Sequence, residues 1–314
     1  MNSKRRVLVL GAGQIGTFSA RSIARAGAFV VAADLAPAAG YFARYGPDGD
    51  VNLLAADILS PTSIRKLIKN YQVDTLVLTV GLSGKQSAAD PVKAHRLNVE
   101  SAKVVAGVVG RTGIARVVFV STFAVYGNPN VKRITEAVAP RPQSEYGRTK
   151  LAAEEALTRL RDKGIDVRIL RPCGIYGPLR LGRGSQSAQL IESLLVGAVN
   201  QVALRVQASA TTSDEYVYVK DLGQAIASAA LATVESPHFI FNVGAGRRTT
   251  ARQLCRAVRQ VVPGTRLRIE KVESETSPLP SLDVSLIRKT FGFAPEFNLV
   301  TGLTDYLREA SLKA

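Results

Sequence analysis

Tyr146 and Lys150 form the pair of side chains in this sequence whose spacing best suits proton-transfer chemistry. They lie four residues apart in a predicted helix, so both project from one face, about one turn apart. A tyrosine titrates at about pH 10, too high for a base at neutral pH, but a neighbouring ammonium group favours the phenolate. We therefore expect Lys150 to lower the pKa of Tyr146, so that the phenol accepts or donates a proton. Considered alone, the pair is better explained by a surface helix in which the two residues coincide by chance.

Two hydroxyl residues, Ser121 and Thr122, follow an apolar stretch that predicts a strand. Open α/β sheets bind their ligands outside the carboxyl ends of their strands. We therefore expect Thr122 to hydrogen-bond the reacting oxygen of a substrate alongside Tyr146, and capping of the strand end is the alternative. Pro172 and Cys173 follow the sixth predicted strand, and their backbone is expected to pass near a cofactor at the same edge.

A glycine-rich turn joins the first predicted strand to the first predicted helix, where Gly11, Gly13 and Gly16 form the pattern G-x-G-x-x-G. The first glycine permits a tight turn, the second lets a pyrophosphate approach the backbone amides, and the third lets the helix pack close to the strand. The pyrophosphate would lie at the positive end of the helix that begins at Gln14 and Ile15. The pattern therefore predicts a dinucleotide cofactor.

Asp34 ends the second predicted strand, about twenty residues beyond the turn, where an acidic residue hydrogen-bonds the adenosine ribose hydroxyls. Its charge would repel a 2′-phosphate, which favours NAD over NADP; a solvated turn carboxylate is the alternative. Asp57 and Ile58 follow the third predicted strand and either flank the adenine or are ordinary loop residues. With NAD bound, the positive nicotinamide ring would add to the effect of Lys150 on Tyr146.

Short apolar runs alternate with amphipathic stretches through the first half of the chain, which predicts an α/β fold: a Rossmann-type doubly wound parallel sheet. We expect residues 1–172 to form the NAD-binding domain and 173–314 to form a smaller, mainly substrate-binding part, from which residues at about 213–245 return to the core. The predicted strands are 7–10, 29–33, 51–55, 75–79, 116–120 and 166–170, and the predicted helices are 14–26, 61–70, 91–111, 144–163 and 186–199.

Composition narrows the class of protein. The chain has 314 residues, of which 46% are hydrophobic, and no apolar stretch is long enough to span a membrane, so we expect a cytoplasmic protein. Cys173 and Cys255 are too few for a disulfide framework, and the two histidines, His95 and His238, have no neighbouring ligands at metal spacing, so no metal site is expected. The net charge is +16, but the basic residues are dispersed, which favours steering of an anionic small substrate over nucleic-acid binding.

A series of motifs runs in a fixed order through residues 7 to 250. The series comprises GAGQIG from Gly11, Asp34, Leu97-Asn98-Val99, STFAVYG from Ser121, YGRTK from Tyr146, RPCGIYGP from Arg171, the segment from Tyr216 to Leu222, and FNVGAG from Phe241. It resembles the extended short-chain dehydrogenase/reductases, in particular the NAD-dependent epimerase/dehydratase family. The resemblance implies that Thr122, Tyr146 and Lys150 are catalytic, that Asn98 supports the site, that Tyr146 and Lys150 also contact the cofactor, and that Val80 and Gly81 touch NAD.

Three departures from the family pattern narrow the chemistry. Phe123 and Ala124 replace the Asp-Glu pair with which 4,6-dehydratases of the family move protons, so a dehydratase of that type is not expected. The Arg-Asp that grips nucleotide phosphates reads Asp214-Glu215, and the loop after the fourth strand lacks the common His-x-Ala-Ala form. The cations that could substitute for the missing arginine are Arg180, Arg183, Arg205 and Lys220.

The resemblance leaves two main functions open. One is an epimerase that oxidises a secondary hydroxyl of a sugar-type substrate, in particular a nucleotide sugar, and re-reduces the keto intermediate while NAD stays bound. The other is a simple dehydrogenase of a free sugar, sugar acid or other secondary alcohol, in which the reduced cofactor exchanges. A non-catalytic NAD sensor and a nucleic-acid-binding relative are further alternatives. The family also implies a homodimer formed through helices 91–111 and 144–163.

Overall fold

A computed structural model describes residues 4–47, 51–180, 184–209, 213–272 and 279–311. Within these ranges, seven parallel strands form one sheet in the order β7-β6-β5-β4-β1-β2-β3. The strands are β1 (Arg6–Leu10), β2 (Phe29–Asp34), β3 (Val51–Ala55), β4 (Thr75–Leu78), β5 (Arg116–Val120), β6 (Asp166–Pro172) and β7 (Ile240–Val243). This sheet confirms the predicted Rossmann-type fold class.

The central strands are apolar along their whole length because helices cover both faces of the sheet. Val7 to Val9 in β1 and Val117 to Phe119 in β5 are at most 1% exposed. A strand buried on both faces shows a continuous apolar run in its sequence, whereas a strand with one solvated face alternates. Since all seven strands are parallel, their carboxyl ends lie at one edge of the sheet, and the glycine turn, Asp34 and Thr122 follow three of them.

Twelve α-helices connect and flank the strands of the described chain. Ser60 and Ser144 cap two of them, because each side chain accepts a backbone amide three residues on. The helices are α1 (Gln14–Arg25), α2 (Ala39–Tyr45), α3 (Pro61–Tyr71), α4 (Gly84–Ala89), α5 (Pro91–His95), α6 (Ser101–Val109), α7 (Glu145–Thr158), α8 (Gln186–Val199), α9 (Val219–Leu231), α10 (Ala251–Val261), α11 (Ser285–Phe291) and α12 (Leu299–Glu309).

Two predicted helices are interrupted or end earlier in the structure. The predicted helix 91–111 consists of α5 and α6 joined by a π-helical turn, Arg96–Glu100, and the helical run ends at Val109. The predicted helix 144–163 ends at Thr158 and continues only as a 3₁₀ turn, Arg161–Lys163. Gly164 follows in the left-handed region with a φ of +75°, a conformation that glycine adopts without strain.

The second half of the chain returns to the sheet and also builds the layer beside it. β7 pairs in parallel with β6, which adds a seventh strand to the six predicted ones. Short paired strands connect the rest: 174–176 with 216–218, 204–208 with 267–271, 213–214 with 249–250, and 133–134 with 281–282. Helices α8, α10 and α12 enclose a second apolar core that includes Ile191, Cys255 and Leu303.

Both cysteines are buried and unpaired, in agreement with their predicted role as small core side chains. Within the described ranges, no cluster of three or more histidine, cysteine, aspartate or glutamate side chains has a metal-binding arrangement. In the same part of the chain, no helix combines the length and apolar character needed to cross a membrane.

Candidate active site

The glycine turn after β1 has the geometry that each of its glycines predicts. Gly11 has a φ of +100°. A Cβ on Gly16 would lie 1.7 Å from the carbonyl oxygen of Gly11, so only glycine lets α1 pass this close to the turn. A Cβ on Gly13, by contrast, would meet no atom within 4 Å. The backbone is therefore bare and open at Gly13, where the predicted pyrophosphate approaches Gln14 and Ile15 at the amino end of α1.

Asp34 lies at the carboxyl end of β2, and both of its carboxylate oxygens have backbone partners. Oδ2 accepts the amide of Ala12 at 2.9 Å, and Oδ1 accepts the amide of Ala36 at 3.0 Å. Nη1 of Arg180 also lies 3.3 Å from Oδ2. The carboxylate thus stabilises the glycine turn while it lies where the fold receives an adenosine ribose. The Asp34 carboxylate is therefore neither freely solvated nor unpaired. The sequence did not predict these partners.

Asp57 and Ile58 lie in the turn between β3 and α3. The carboxylate of Asp57 accepts the amide of Leu59 at 2.8 Å, and Ile58 is 8% exposed. Asp57 therefore stabilises this turn. A role of Asp57 next to adenine stays a prediction.

Asn98 links the loop after β4 to the helix that carries Tyr146. Its amide oxygen accepts from the Leu82 amide at 2.8 Å, and its amide nitrogen donates to the Thr149 hydroxyl at 2.9 Å. A Cβ on Gly81 would lie 2.7 Å from the Asn98 oxygen and 3.8 Å from Nζ of Lys150. Gly81 therefore lies beside the predicted catalytic lysine, whereas Val80 lies beside Gly11 of the glycine turn. Asn98 itself sits in the π-helical turn, a local distortion that is frequent at functional sites.

Thr122, Tyr146 and Lys150 converge at the carboxyl edge of the sheet. A hydrogen bond with Thr122 favours the phenolate of Tyr146, but burial is the larger effect and raises the pKa of Tyr146 to about 12. Lys150 is 3% exposed, with Nζ 4.1 Å from the centre of the Phe119 ring, and burial lowers the pKa of Lys150 to about 7. The pKa of Tyr146 therefore moves in the direction opposite to the one expected from a neighbouring Lys150, because desolvation of the phenol itself is the larger effect.

A buried ion pair between Glu154 and Arg171 stabilises the helix that carries Tyr146 and Lys150. The Glu154 carboxylate accepts Nε of Arg171 at 3.0 Å and Nη2 at 2.5 Å, and it also accepts the hydroxyl of Ser121. Glu154 favours the charged form of Lys150, one helical turn earlier. The sequence interpretation did not assign this glutamate, although its i+4 spacing from Lys150 was a usable signal. Ser121 is thus part of a buried support and not of the open site.

Pro172 and Cys173 lie where β6 ends. The Cys173 amide donates to the carbonyl of Val243 in β7 at 2.9 Å, and burial raises the pKa of the Cys173 thiol above its usual range. The thiol therefore stays protonated and inert. A contact between this backbone and the cofactor stays a prediction.

A cavity of about 810 Å³ opens between α8, the strand 204–208 and the paired segments 213–214 and 249–250. Its wall carries charges of both signs: Lys85 and Arg205, and Asp214 and Glu270. The carboxylate of Asp214 accepts the hydroxyl of Ser187 at 2.8 Å, and burial raises its pKa. Glu215 points away into the protein, where it accepts the amides of Gly246 and Leu282. The Asp214-Glu215 departure thus places one carboxylate in the cavity and uses the other as internal support.

The cations predicted to replace the phosphate-gripping arginine are engaged elsewhere. Arg180 contacts Asp34, and Lys220 bridges Asp305 and Glu309. Arg205 lines the cavity but pairs with Glu270 at 2.8 Å, and Arg183 lies outside the described residues. Lys220 and Arg180 therefore do not line this cavity, and a phosphate contact by Arg205 stays a prediction.

Arg248 is a cation that the sequence interpretation did not consider, and it lies beside the same corner. Its Nε donates to the Ser213 hydroxyl at 2.9 Å, and its charge lowers the pKa of Asp214 against the larger effect of burial. Arg248 also lines a smaller cavity of about 490 Å³, together with Arg247 and Arg256.

The parallel sheet, the bare glycine turn and the Tyr–Lys helix at one sheet edge define an enzyme of the Rossmann-type, dinucleotide-dependent class. The chain belongs to the NAD dependent epimerase/dehydratase family, whose family model matches residues 7–244. This match confirms the family that the motifs predicted and NAD as its cofactor. The residues present fit that cofactor, since Gly13 leaves open the space beside α1 and Asp34 stands at the end of β2.

Individual relatives agree with this assignment. The chain is 27% identical over 318 residues to the UDP-glucose 4-epimerase of Azospirillum brasilense, covering 95% of this chain and 89% of that protein. The fold matches a UDP-glucose 4-epimerase from Stenotrophomonas maltophila with bound NAD and formylated UDP-arabinopyranose, at a TM-score of 0.85 and 23% identity over 98% and 99% of the two chains. It also matches a partial consensus L-threonine 3-dehydrogenase, at a TM-score of 0.84 and 20% identity over 98% and 100%.

Proposed function

We propose that this protein is an NAD-dependent epimerase or oxidoreductase that acts on a secondary hydroxyl of a sugar-type substrate through Thr122, Tyr146 and Lys150. One observation carries the proposal. The side chain of Thr122 acts on the phenol of Tyr146, and Tyr146 lies one helical turn from the buried Lys150, whose Nζ lies beside Gly81. This arrangement offers two oxygen groups to a substrate hydroxyl at the sheet edge where α/β enzymes bind their ligands.

Each residue has a separate task in this proposal. In its phenolate form, Tyr146 accepts the proton of the substrate hydroxyl and becomes the phenol, while the hydroxyl of Thr122 holds the same substrate oxygen in place. Burial lowers the pKa of Lys150 to about 7, so near neutral pH it is divided between a charged and a neutral form. The charged form is proposed to favour the phenolate once the positive nicotinamide ring is also present. NAD, when bound, supplies the two-electron oxidant for the alcohol carbon.

The substrate is proposed to be a nucleotide sugar because the curated relatives named above and the fold matches include enzymes of UDP-sugars. The 810 Å³ cavity is large enough for such a ligand, and except for Lys85 its lining comes from residues 173–314, the proposed substrate-binding part. Its basic side chains, Lys85 and Arg205, suit an anionic substrate. We likewise propose residues 1–172 as the cofactor domain, with 213–245 returning to it.

A simple dehydrogenase is the second candidate, and the cavity wall favours it at one point. Asp214 stands in the cavity where the family carries a phosphate-gripping arginine, and a carboxylate there opposes a pyrophosphate. A free sugar, sugar acid or other small alcohol has no nucleotide pyrophosphate, so this repulsion would not arise. Phe123 and Ala124 provide no acid or base, so elimination of water is not part of either proposal.

The test begins with the purified protein and its bound nucleotide. UDP- and dTDP-sugars are screened for epimer formation, and free polyols and sugar acids are screened for NADH absorbance. Retained NAD with epimer formation and no net NADH supports the epimerase, whereas NADH production supports the dehydrogenase. Tyr146→Phe should lower turnover by a factor of about 10² to 10⁴, the usual contribution of general acid–base catalysis. Full turnover of that variant would remove Tyr146 from the mechanism.

A homodimer through α5, α6 and α7 is proposed from the family resemblance. Lys103 and Glu100 form an ion pair on this surface, and Val92 is 82% exposed on it. A monomeric mass by light scattering at micromolar concentration would contradict the dimer, and a mass that falls towards the monomer in Val92→Asp would support it.

A further inference from the structure

Arg180 crosses from the substrate half of the chain to the ribose end of the proposed cofactor site. Its Nη1 lies 3.3 Å from Oδ2 of Asp34 and 3.5 Å from the carbonyl oxygen of Ala12, and its Nη2 donates to the carbonyl of Ala36. These three acceptors surround the end of β2 and the glycine turn. The guanidinium therefore lies where the 2′ position of an adenosine ribose is received in this fold.

The backbone that carries Arg180 is anchored to the cofactor half by two side chains. Nε2 of Gln14, in the first turn of α1, donates to the carbonyl of Gly177 at 2.8 Å. The hydroxyl of Tyr41, in α2, donates to the carbonyl of Pro178 at 2.7 Å. Because these bonds fix the segment immediately before Arg180, the position of the guanidinium is built into the contact between the two halves.

The net charge at the end of β2 differs from that of an isolated aspartate, because Arg180 is paired with Asp34. A lone carboxylate at the end of β2 repels a 2′-phosphate, but an arginine nearby can accept that phosphate in the same place. A guanidinium has five N–H donors in a planar fork that suits phosphate, and the three acceptors bound here leave donors free. Leu35 and Ala36, which follow Asp34, are exposed and uncharged, so Arg180 is the cation that the described chain brings to this carboxylate.

We propose that the Asp34–Arg180 pair lets this site bind a dinucleotide with a 2′-phosphate as well as NAD. Towards NAD, Asp34 accepts the ribose hydroxyls while Arg180 stays on its carboxylate. Towards NADP, the fork of Arg180 turns to the phosphate and its charge offsets that of Asp34. The inference rests on the cofactor site of the proposed function and goes beyond it, since the sequence favours NAD alone.

The experiment is a binding titration with NADH and NADPH, followed by the fluorescence of the nicotinamide. The chain contains no tryptophan, so the emission of the reduced cofactor can be followed with little background. The wild-type protein should bind NADPH within about tenfold of NADH. Arg180→Ala should weaken NADPH binding by about tenfold or more, equivalent to one charged hydrogen bond, and NADH binding by less than about threefold.

Arg5→Ala is the matched control. Arg5 also pairs with an aspartate, Asp74, at 3.5 Å, but this pair lies at the opposite, amino-terminal edge of the sheet. Arg5→Ala should change neither affinity. If Arg180→Ala folds poorly, Arg180→Lys provides the same test, because it keeps the charge, loses the fork and should weaken NADPH to an intermediate degree.

The failures of the two proposals can be told apart. If the wild-type protein binds NADH but binds NADPH over a hundredfold more weakly, the inference is overturned and the cofactor site stands. The same holds if Arg180→Ala weakens both cofactors equally. If the protein binds neither cofactor, the proposed cofactor site itself fails, and the inference fails with it.

Discussion

The carboxyl edge of the sheet, where the cofactor is proposed to bind (the cofactor edge), and the 810 Å³ cavity differ in how firmly their polar side chains are held. At the cofactor edge the polar side chains are buried and partnered: Asn98 and Glu154 are at most 3% exposed, and each holds two elements together. At the cavity, Arg205 is 75% exposed and pairs with a partly exposed glutamate. The cofactor edge therefore tolerates little change, whereas the cavity wall can change its charge pattern at small cost to folding. Of the two residues that depart from the family pattern, Asp214 lines the cavity, whereas Glu215 is buried and accepts two backbone amides.

The largest expected effect is at the buried carboxylate of the cofactor edge. Glu154→Gln leaves the Arg171 guanidinium, 2% exposed, without its counter-charge. Breaking a buried ion pair from one side costs about 3–5 kcal/mol of the free energy of unfolding. Urea denaturation measures this loss, and Glu155→Gln, an exposed neighbour on the same helix, serves as the control. A loss as small as that of the control would mean that the two regions do not differ in this way.

The glycine turn allows stability and cofactor binding to be separated. Gly16→Ala drives a Cβ into the carbonyl of Gly11 and should cost about 3 kcal/mol of unfolding free energy. Gly13→Ala meets no atom of the protein, so stability should change by less than about 1 kcal/mol. NAD binding should nevertheless weaken by about tenfold or more, since the new methyl group fills the proposed pyrophosphate space. Calorimetric titration measures this, and unchanged affinity would move the pyrophosphate elsewhere.

Lys150 predicts a pH dependence of stability that its variant should lack. Burial lowers its pKa in the folded protein from 10.5 to about 7, so the unfolded chain binds more protons than the folded one between these values. Stability therefore rises with pH across this window, by about 2 kcal/mol from pH 7 to pH 9. The measurement is urea unfolding of the wild type and of Lys150→Met at both pH values. Equal pH dependence in the two proteins would show that the lysine is not desolvated.

The smallest effect on stability is expected at the cavity. Arg205→Ala removes an exposed ion pair and should cost less than about 1 kcal/mol of unfolding free energy. If the substrate is anionic, its KM should still rise, because a cation has left the cavity wall. A large loss of stability, or a KM that falls, would place Arg205 in a different role from the one its exposure suggests.

The sequence predicted the strands, the glycine turn and the helix of Tyr146 and Lys150 because the requirements of each are local. The glycine pattern, the strand-end residues and the i+4 spacing of Tyr146 and Lys150 are each contained within a few residues. The six apolar strands were found for the same reason, since burial on both faces leaves a continuous apolar run. The seventh strand, Ile240–Val243, is only four residues long, so its own sequence gives a weak signal.

Contacts between distant segments could not be predicted in this way. Arg180 is 146 residues from Asp34, and no local pattern indicates that they meet. The pKa of Tyr146 was predicted in the wrong direction because spacing identifies a neighbouring charge but not the loss of water around it. The charge pattern of the cavity likewise depends on which of several basic residues already have carboxylate partners.

The return of the chain to its own sheet bears on how the protein is made. β7 covers the edge of β6, but it leaves the ribosome about seventy residues after β6 is complete. During that interval β6 presents an unpaired row of amides and carbonyls, the kind of edge on which nascent chains associate. A shortened chain that stops after Pro172 would keep this edge permanently open. The second half of the chain thus closes an edge of the sheet that the first half leaves open.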